Sequence, residues 1–145
     1  MKMTSLEEAA VMLLLAGRTP LLRLLRKQSL MATVSSRKRR SNSVRTYFRI
    51  PENAPRADHK QKEIDFIDVA ADVVGTDMVI DFHLSVKDGL IRWIHSHAYA
   101  DHWPEGPIEV SFWYMKEIPS GRGQFQRSKD RDWKYFQRML CRQFS

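Results

Sequence analysis

Apolar and polar side chains alternate without a break over residues 78–87. Met78, Ile80, Phe82, Leu84 and Val86 fall on one side, and Val79, Asp81, His83, Ser85 and Lys87 on the other. A period of two predicts a half-buried strand. Asp88-Gly89 follows at once, a pair that tolerates the positive φ angles of a two-residue hairpin turn, so the chain is expected to reverse and return through residues 90–99. With that turn Val86 would face Ile91, Leu84 would face Trp93, Phe82 would face His95 and Ile80 would face His97. Both histidines would then share the apolar face.

The flanking pattern predicts helices first. Ser5-Leu6-Glu7-Glu8 fits a capping box, followed by an apolar run over residues 9–16 that Gly17 would stop. Thr19-Pro20 opens a second helix, with Leu21, Leu22, Leu24 and Leu25 inside and Arg23, Arg26 and Lys27 outside. Strands are expected over residues 31–36 and 44–50. The intervening Arg37-Lys38-Arg39-Arg40-Ser41-Asn42-Ser43 is expected as a solvated turn, since adjacent cations are not buried unpaired. Ile64, Phe66, Ile67, Val69, Ala71 and Val73 predict a strand whose alternation slips, as at a bulge, with Asp65, Asp68 and Asp72 outward. Residues 108–115 alternate as a last strand, Gly121 and Gly123 mark a link, and Ser128 caps a final helix on which Trp133, Phe136 and Leu140 recur at helical spacing. The expected fold is α+β: an N-terminal helical hairpin (5–30) on an antiparallel sheet of about five strands (31–116) within a domain of residues 1–118, then a basic helical tail over 119–145.

Composition places this chain of 145 residues, 43% of them hydrophobic, among folded single domains. Cys141 is the only cysteine, so neither an internal disulfide nor a cysteine zinc site is expected, and the cytoplasm is the expected compartment. The run over residues 9–16 falls short of the roughly 20 apolar residues of a membrane span. Glu7 and Glu8 stand where a signal peptide carries positive charge, although residues 18–43 share the Arg-rich composition of transit peptides.

Charge is segregated along the chain. Residues 1–57 carry twelve Lys or Arg against three Asp or Glu, residues 58–117 five against twelve, and residues 118–145 seven against two. The basic ends either neutralise the acidic middle or face an anionic partner. The candidate contacts for a partner or a phosphate are Arg37, Lys38, Arg39, Arg40, Arg45 and Arg49, with Lys134 and Arg138 on the tail and Tyr47 or Trp133 to stack on bases. Tyr99, Asp101 and Trp103 form a candidate aromatic interface loop. His95 and His97, two apart on a strand, could share a metal ion with Asp101 or His102, but beside Trp93 and Tyr99 they read as packed imidazoles and no metal is assigned. Cys141 lacks a neighbouring orienting histidine. No phosphate-cradling glycine loop or nucleophile elbow occurs, and Asp65, Asp68, Asp72 and Asp81 read as a solvated strand face. No catalytic activity and no cofactor are expected.

The chain resembles a group of short bacterial proteins to which no activity is attached. The likeness lies in the Leu-rich opening, Val34-Ser35-Ser36-Arg37, Ile50-Pro51-Glu52-Asn53-Ala54-Pro55, and Val86-Lys87-Asp88-Gly89 with Tyr99, Asp101 and Trp103-Pro104-Glu105. It departs at Lys38-Arg39-Arg40-Ser41-Asn42-Ser43-Val44-Arg45, at Met78-Val79-Ile80-Asp81 and at His95. The resemblance implies a shared fold. The expected function is a small non-enzymatic protein that binds and blocks another macromolecule, such as an immunity-type or anti-defence inhibitor with a protein partner. The alternative is nucleic-acid binding through the basic segment and tail.

Overall fold

The computed structural model describes residues 1–58, 63–119 and 123–144, the last four as backbone alone. Gly121 and Arg122 of the expected link, and the Cys141 side chain, lie outside the described residues. Among those described, three helices, α1 (Ser5–Leu14), α2 (Pro20–Met31) and α3 (Trp133–Phe144), accompany seven strands. These are β1 (Thr33–Arg39), β2 (Ser43–Arg49), β3 (Glu63–Val73), β4 (Val79–Lys87), β5 (Leu90–Ala98), β6 (Val110–Glu117) and β7 (Phe125–Ser128). They form one antiparallel sheet in the order β1-β2-β5-β4-β3-β6-β7. The fold is α+β, with seven strands rather than five. All three helices pack on the same sheet face, where Leu14, Leu22, Leu25 and Phe136 meet Phe66, Phe82, Leu84 and Ile94. None of the helices is long and apolar enough to cross a membrane.

Helix α1 begins one residue earlier than expected. Thr4 is its cap: the Thr4 hydroxyl accepts from Glu7 N at 3.1 Å and the Glu7 carboxylate accepts from Thr4 N at 2.8 Å. Both Thr4-x-x-Glu7 and Ser5-x-x-Glu8 satisfy the capping pattern. The choice falls to Glu7 because its carboxylate is turned inward, to Arg37 and Thr46. The helix closes at Leu14, with Leu15 as its cap, before Gly17 is reached. Helix α2 starts as expected, with the Thr19 hydroxyl accepting from Leu22 N at 3.3 Å and Pro20 in the first turn.

The central hairpin forms with Asp88 at φ 53° and Gly89 at φ 77°, and Lys87 opposite Leu90. Its register differs from the expectation beyond the first pair. Val86 faces Ile91, but Ser85 faces Trp93, Leu84 faces Ile94, Phe82 faces Ser96 and Ile80 faces Ala98. Arg92 is the extra residue of a bulge, and one inserted residue flips every later side chain to the other face. The small or apolar Ile94, Ser96 and Ala98 therefore enter the core, and His95 and His97 go to the open face.

A second bulge places Ile67 and Asp68 opposite His83. It turns Asp68 into the core, where it pairs with Arg131, contrary to the expected outward direction. Strand β1 runs on to Arg39, so Arg37, Lys38 and Arg39 belong to a strand rather than a turn. Beyond residue 118 the chain adds β7 to the sheet edge and α3 to the core, Phe136 lying 6.0 Å from Phe66 in a stacked arrangement. Helix α3 is capped by Asp132, whose carboxylate accepts from Tyr135 N at 3.1 Å, while Ser128 ends β7.

Candidate functional site

Alternation along β1 splits the basic run between the two sides of the sheet. Arg37, opposite Thr46, points to the helices and donates to Glu7 at 2.7 and 3.1 Å. Burial favours the neutral acid at Glu7, but hydrogen bonds from Arg37, Thr46 and the Thr4 amide outweigh it and hold the carboxyl below its ordinary range. The same bond to Glu7 raises Arg37 further. Arg37 is thereby engaged within the fold. Arg39, opposite Val44, is exposed on the helix side. Lys38, opposite Arg45, belongs to the other face, and Arg40, whose amide donates to Ser43 O at 2.9 Å, lines the same cleft as both.

Among the described residues, no helix covers that other face. Lys38, Arg45, His95 and His83 stand in one row across β1, β2, β5 and β4, with Ser36, Tyr47, Trp93 and Ser85 in the next. The Arg45 guanidinium lies over Trp93 with its central carbon 4.0 Å from the ring centroid, and His83 meets the same indole edge-on at 4.8 Å. Arg45 Nε donates to His95 Nδ1 at 3.3 Å, which requires that nitrogen to be unprotonated. Burial lowers the His95 pKa below its ordinary value, and the charges of Arg45, His97 and His83 lower it further against the pull of Asp81.

Neither β1, β2 nor β5 contains an Asp or Glu. Among the described residues, Asp65, Asp72 and Asp81 bring carboxylates to the open face from β3 and β4 and are engaged, while Asp88 of the hairpin turn borders its far end. Asp65 lies 2.8 Å from His83, Asp81 accepts from the Tyr99 hydroxyl at 2.7 Å and lies 3.8 Å from His97, and Asp72 holds Arg127 through two bonds of 2.8 and 2.9 Å. The bond to Asp81 pushes the Tyr99 hydroxyl up to about 12. Lys38, Arg40, Arg45 and Arg49 have no carboxylate within ion-pair distance among the described residues. The acidic middle of the sequence thus neutralises Arg127, Arg131 and Arg138, but gives no ion pair to Lys38, Arg40, Arg45 or Arg49 among the described residues.

Clefts follow this face. One of about 310 Å³ is lined by Lys38, Arg40, Ser43, Arg45, Tyr47 and His95. A shallower one of about 550 Å³ runs past Ser36, Tyr47, Lys87, Arg92 and Trp93 to Asp88 in the hairpin turn. Tyr47 borders both.

The other sequence candidates divide. Exposed Tyr99 and Asp101 precede half-buried Trp103, whose amide donates to Ser41 O at 2.7 Å, so this loop rests against the β1–β2 turn. His97 adjoins it, 3.4 Å from the Asn42 amide and edge-on to Tyr99 at 4.7 Å. Lys134 and Arg138 lie on α3, which packs on the covered face, and Arg138 bonds Glu117, so they do not join the β1 and β2 cations. Trp133 packs against Phe136 at 5.4 Å on that side too and is not a second stacking residue for the open face. No group of three or more His, Cys, Asp or Glu side chains suited to a metal ion occurs among the described residues. Trp93 was missed because the bulge at Arg92 moves it from the expected core side to the open face, and the spacing of three between Ile91 and Ile94 is the signal that marks it; His83 and Arg92 alternate outward in the sequence but carry no signal of their own. Comparison with protein-family models, with curated sequences and with solved structures gives no match to this chain.

Proposed function

We propose that the protein binds single-stranded nucleic acid on the open face of its sheet, across β1, β2 and β5. The observation that carries this is Arg45 lying over Trp93 beside Tyr47, on three adjacent strands that bear cations and no carboxylate. Base stacking needs flat aromatic or guanidinium surfaces, and strand binding needs positive charge along a groove. Lys38, Arg40 and Arg45 supply the charge, and Tyr47, Trp93 and the guanidinium of Arg45 supply the platforms. A single strand suits this face better than a duplex, because stacking requires bases that are already exposed. The role proposed is binding, without catalysis.

A protein-blocking role is favoured by a different feature, the exposed ring of Tyr99, fixed by Asp81 and set beside Asp101. One pull-down separates the two. The tagged protein is incubated with lysate, with and without nuclease, and its affinity for a single-stranded decamer and for the matching duplex is measured by fluorescence anisotropy. Nuclease-sensitive capture and preference for the single strand are expected. Absence of oligonucleotide binding at low salt, together with a nuclease-resistant protein partner, would overturn the nucleic-acid role.

A further inference from the structure

We infer that the cleft lined by Lys38, Arg40, Ser43, Arg45, Tyr47 and His95 is a seat for one terminal phosphomonoester, the end of the strand whose adjoining bases stack on Tyr47 and Trp93. The identity of the carrier rests on the nucleic-acid role proposed above; the seat itself rests on the cleft.

Three cations line a concave volume of about 310 Å³ with no carboxylate among its described lining residues. Like charges held together in this way repel one another, and an entering anion relieves all three at once. A phosphodiester carries one negative charge, whereas a terminal phosphate carries about −1.5 to −2 near neutral pH and offers three acceptor oxygens. The lining matches the second. Arg45 and Arg40 present forked donors suited to phosphate, and Lys38 adds a compact charge. Tyr47 and Ser43 add hydroxyl donors.

Position also favours a strand end. The cleft sits where β1 turns into β2, and the Trp103 amide and the Ala98 amide both donate to that turn, at Ser41 O and Asn42 O. From Tyr47 at the edge of this cleft, the second cleft leads along β2 toward Trp93 and the hairpin turn.

His95 reports occupancy. The imidazole is faced by Arg45 from β2, by His83 and Asp81 from β4 and by His97 on its own strand, with Lys38 bordering the same cleft. A phosphate dianion in the cleft offsets the cationic neighbours that disfavour its protonation, so His95 binds a proton more readily when the seat is filled.

The test compares a dT decamer bearing a 5′-phosphate, one bearing a 3′-phosphate and one with both ends hydroxyl, alongside inorganic phosphate alone. Wild type is set beside the Lys38→Gln/Arg40→Gln variant, whose exposed side chains make no ion pair among the described residues. NMR titration of the histidine ring signals accompanies each. One phosphorylated end is expected to bind about tenfold more tightly than the hydroxyl decamer. The difference should vanish in the variant, and inorganic phosphate should raise the His95 pKa in wild type only. Equal binding of all three decamers, with no His95 response to phosphate, would overturn the seat and leave the open-face role standing. A His95 response to inorganic phosphate without binding of any decamer would support the seat and remove the nucleic acid as its carrier.

Discussion

Arg131 donates to both carboxylate oxygens of Asp68, at 2.8 and 2.9 Å, in a pair whose side chains are 3% and 1% exposed. The same guanidinium donates to Leu14 O at 2.7 Å and Ala16 O at 2.6 Å, carbonyls at the end of α1 that the helix itself leaves without donors. Its central carbon lies 4.3 Å from the Phe136 ring centroid. One side chain therefore joins the β3 bulge, the end of α1 and the start of α3.

Removing either partner leaves the other charge buried and unpaired. Asp68→Ala and Arg131→Ala are each expected to cost about 3–5 kcal/mol, read from urea unfolding. The double variant Asp68→Leu/Arg131→Met should recover only part of this loss, since Leu14 O and Ala16 O stay without donors. Full recovery would show that the carbonyl contacts contribute nothing.

Gln28, fully buried on α2, serves the central hairpin in the same way. Its Nε2 donates to Pro55 O at 2.8 Å and Gly89 O at 2.9 Å, and its Oε1 accepts from Ile91 N at 2.7 Å. Gln28→Leu keeps the volume and removes every bond, at about 1–3 kcal/mol for each backbone group left buried and unpaired. Hydrogen exchange at the Ile91 amide should accelerate more than exchange in β3. At Gly89 itself an added Cβ would stand 2.1 Å from Ala57 O, at a φ of 77°, so Gly89→Ala should destabilise by displacing this backbone.

The Glu7 carboxyl is held below its ordinary value in the folded protein. A depressed acid stabilises the fold fully above its unfolded pKa, and that contribution is lost as pH falls through the folded pKa. Unfolding free energy should thus decline below about pH 4.5 on account of this group. Glu7→Gln should flatten the acid limb while lowering stability at pH 7, where Arg37 would lose its counter-ion. An unchanged acid limb would show that Glu7 does not control it.

Much of this fold is legible where the pattern is regular, and the losses fall at single residues. Asp88-Gly89 identifies the turn, and Val86 opposite Ile91 follows from it. Nothing in strict alternation reveals that Arg92 is unpaired, because Trp93 is as plausible an inward residue as Ile94 until the next sheet layer is known. That one residue decides whether His95 lies in the core or on the open face. The site is affected in the same way: the run Arg37-Lys38-Arg39-Arg40 reads as one patch, but its strand conformation sends alternate residues to opposite faces and Glu7 claims the first of them. Asp68 shows the converse, a carboxylate on a polar-looking strand whose partner lies 63 residues away on a segment that composition marks as a tail.

Arg45 and Trp93 should contribute to strand binding through different forces, and salt separates them. Arg45 neutralises a phosphate and releases counterions, so Arg45→Gln should reduce the slope of log K against log salt for single strands by roughly 0.7. Trp93→Ala removes a stacking surface and should weaken binding by about 1–3 kcal/mol with the slope unchanged. Arg39→Gln, on the helix side of β1, serves as the control and should alter neither quantity, because strand alternation keeps it off the open face. If Arg39→Gln and Arg45→Gln reduce the slope equally, the attraction comes from the basic segment as a whole, and the open sheet face is not the binding surface.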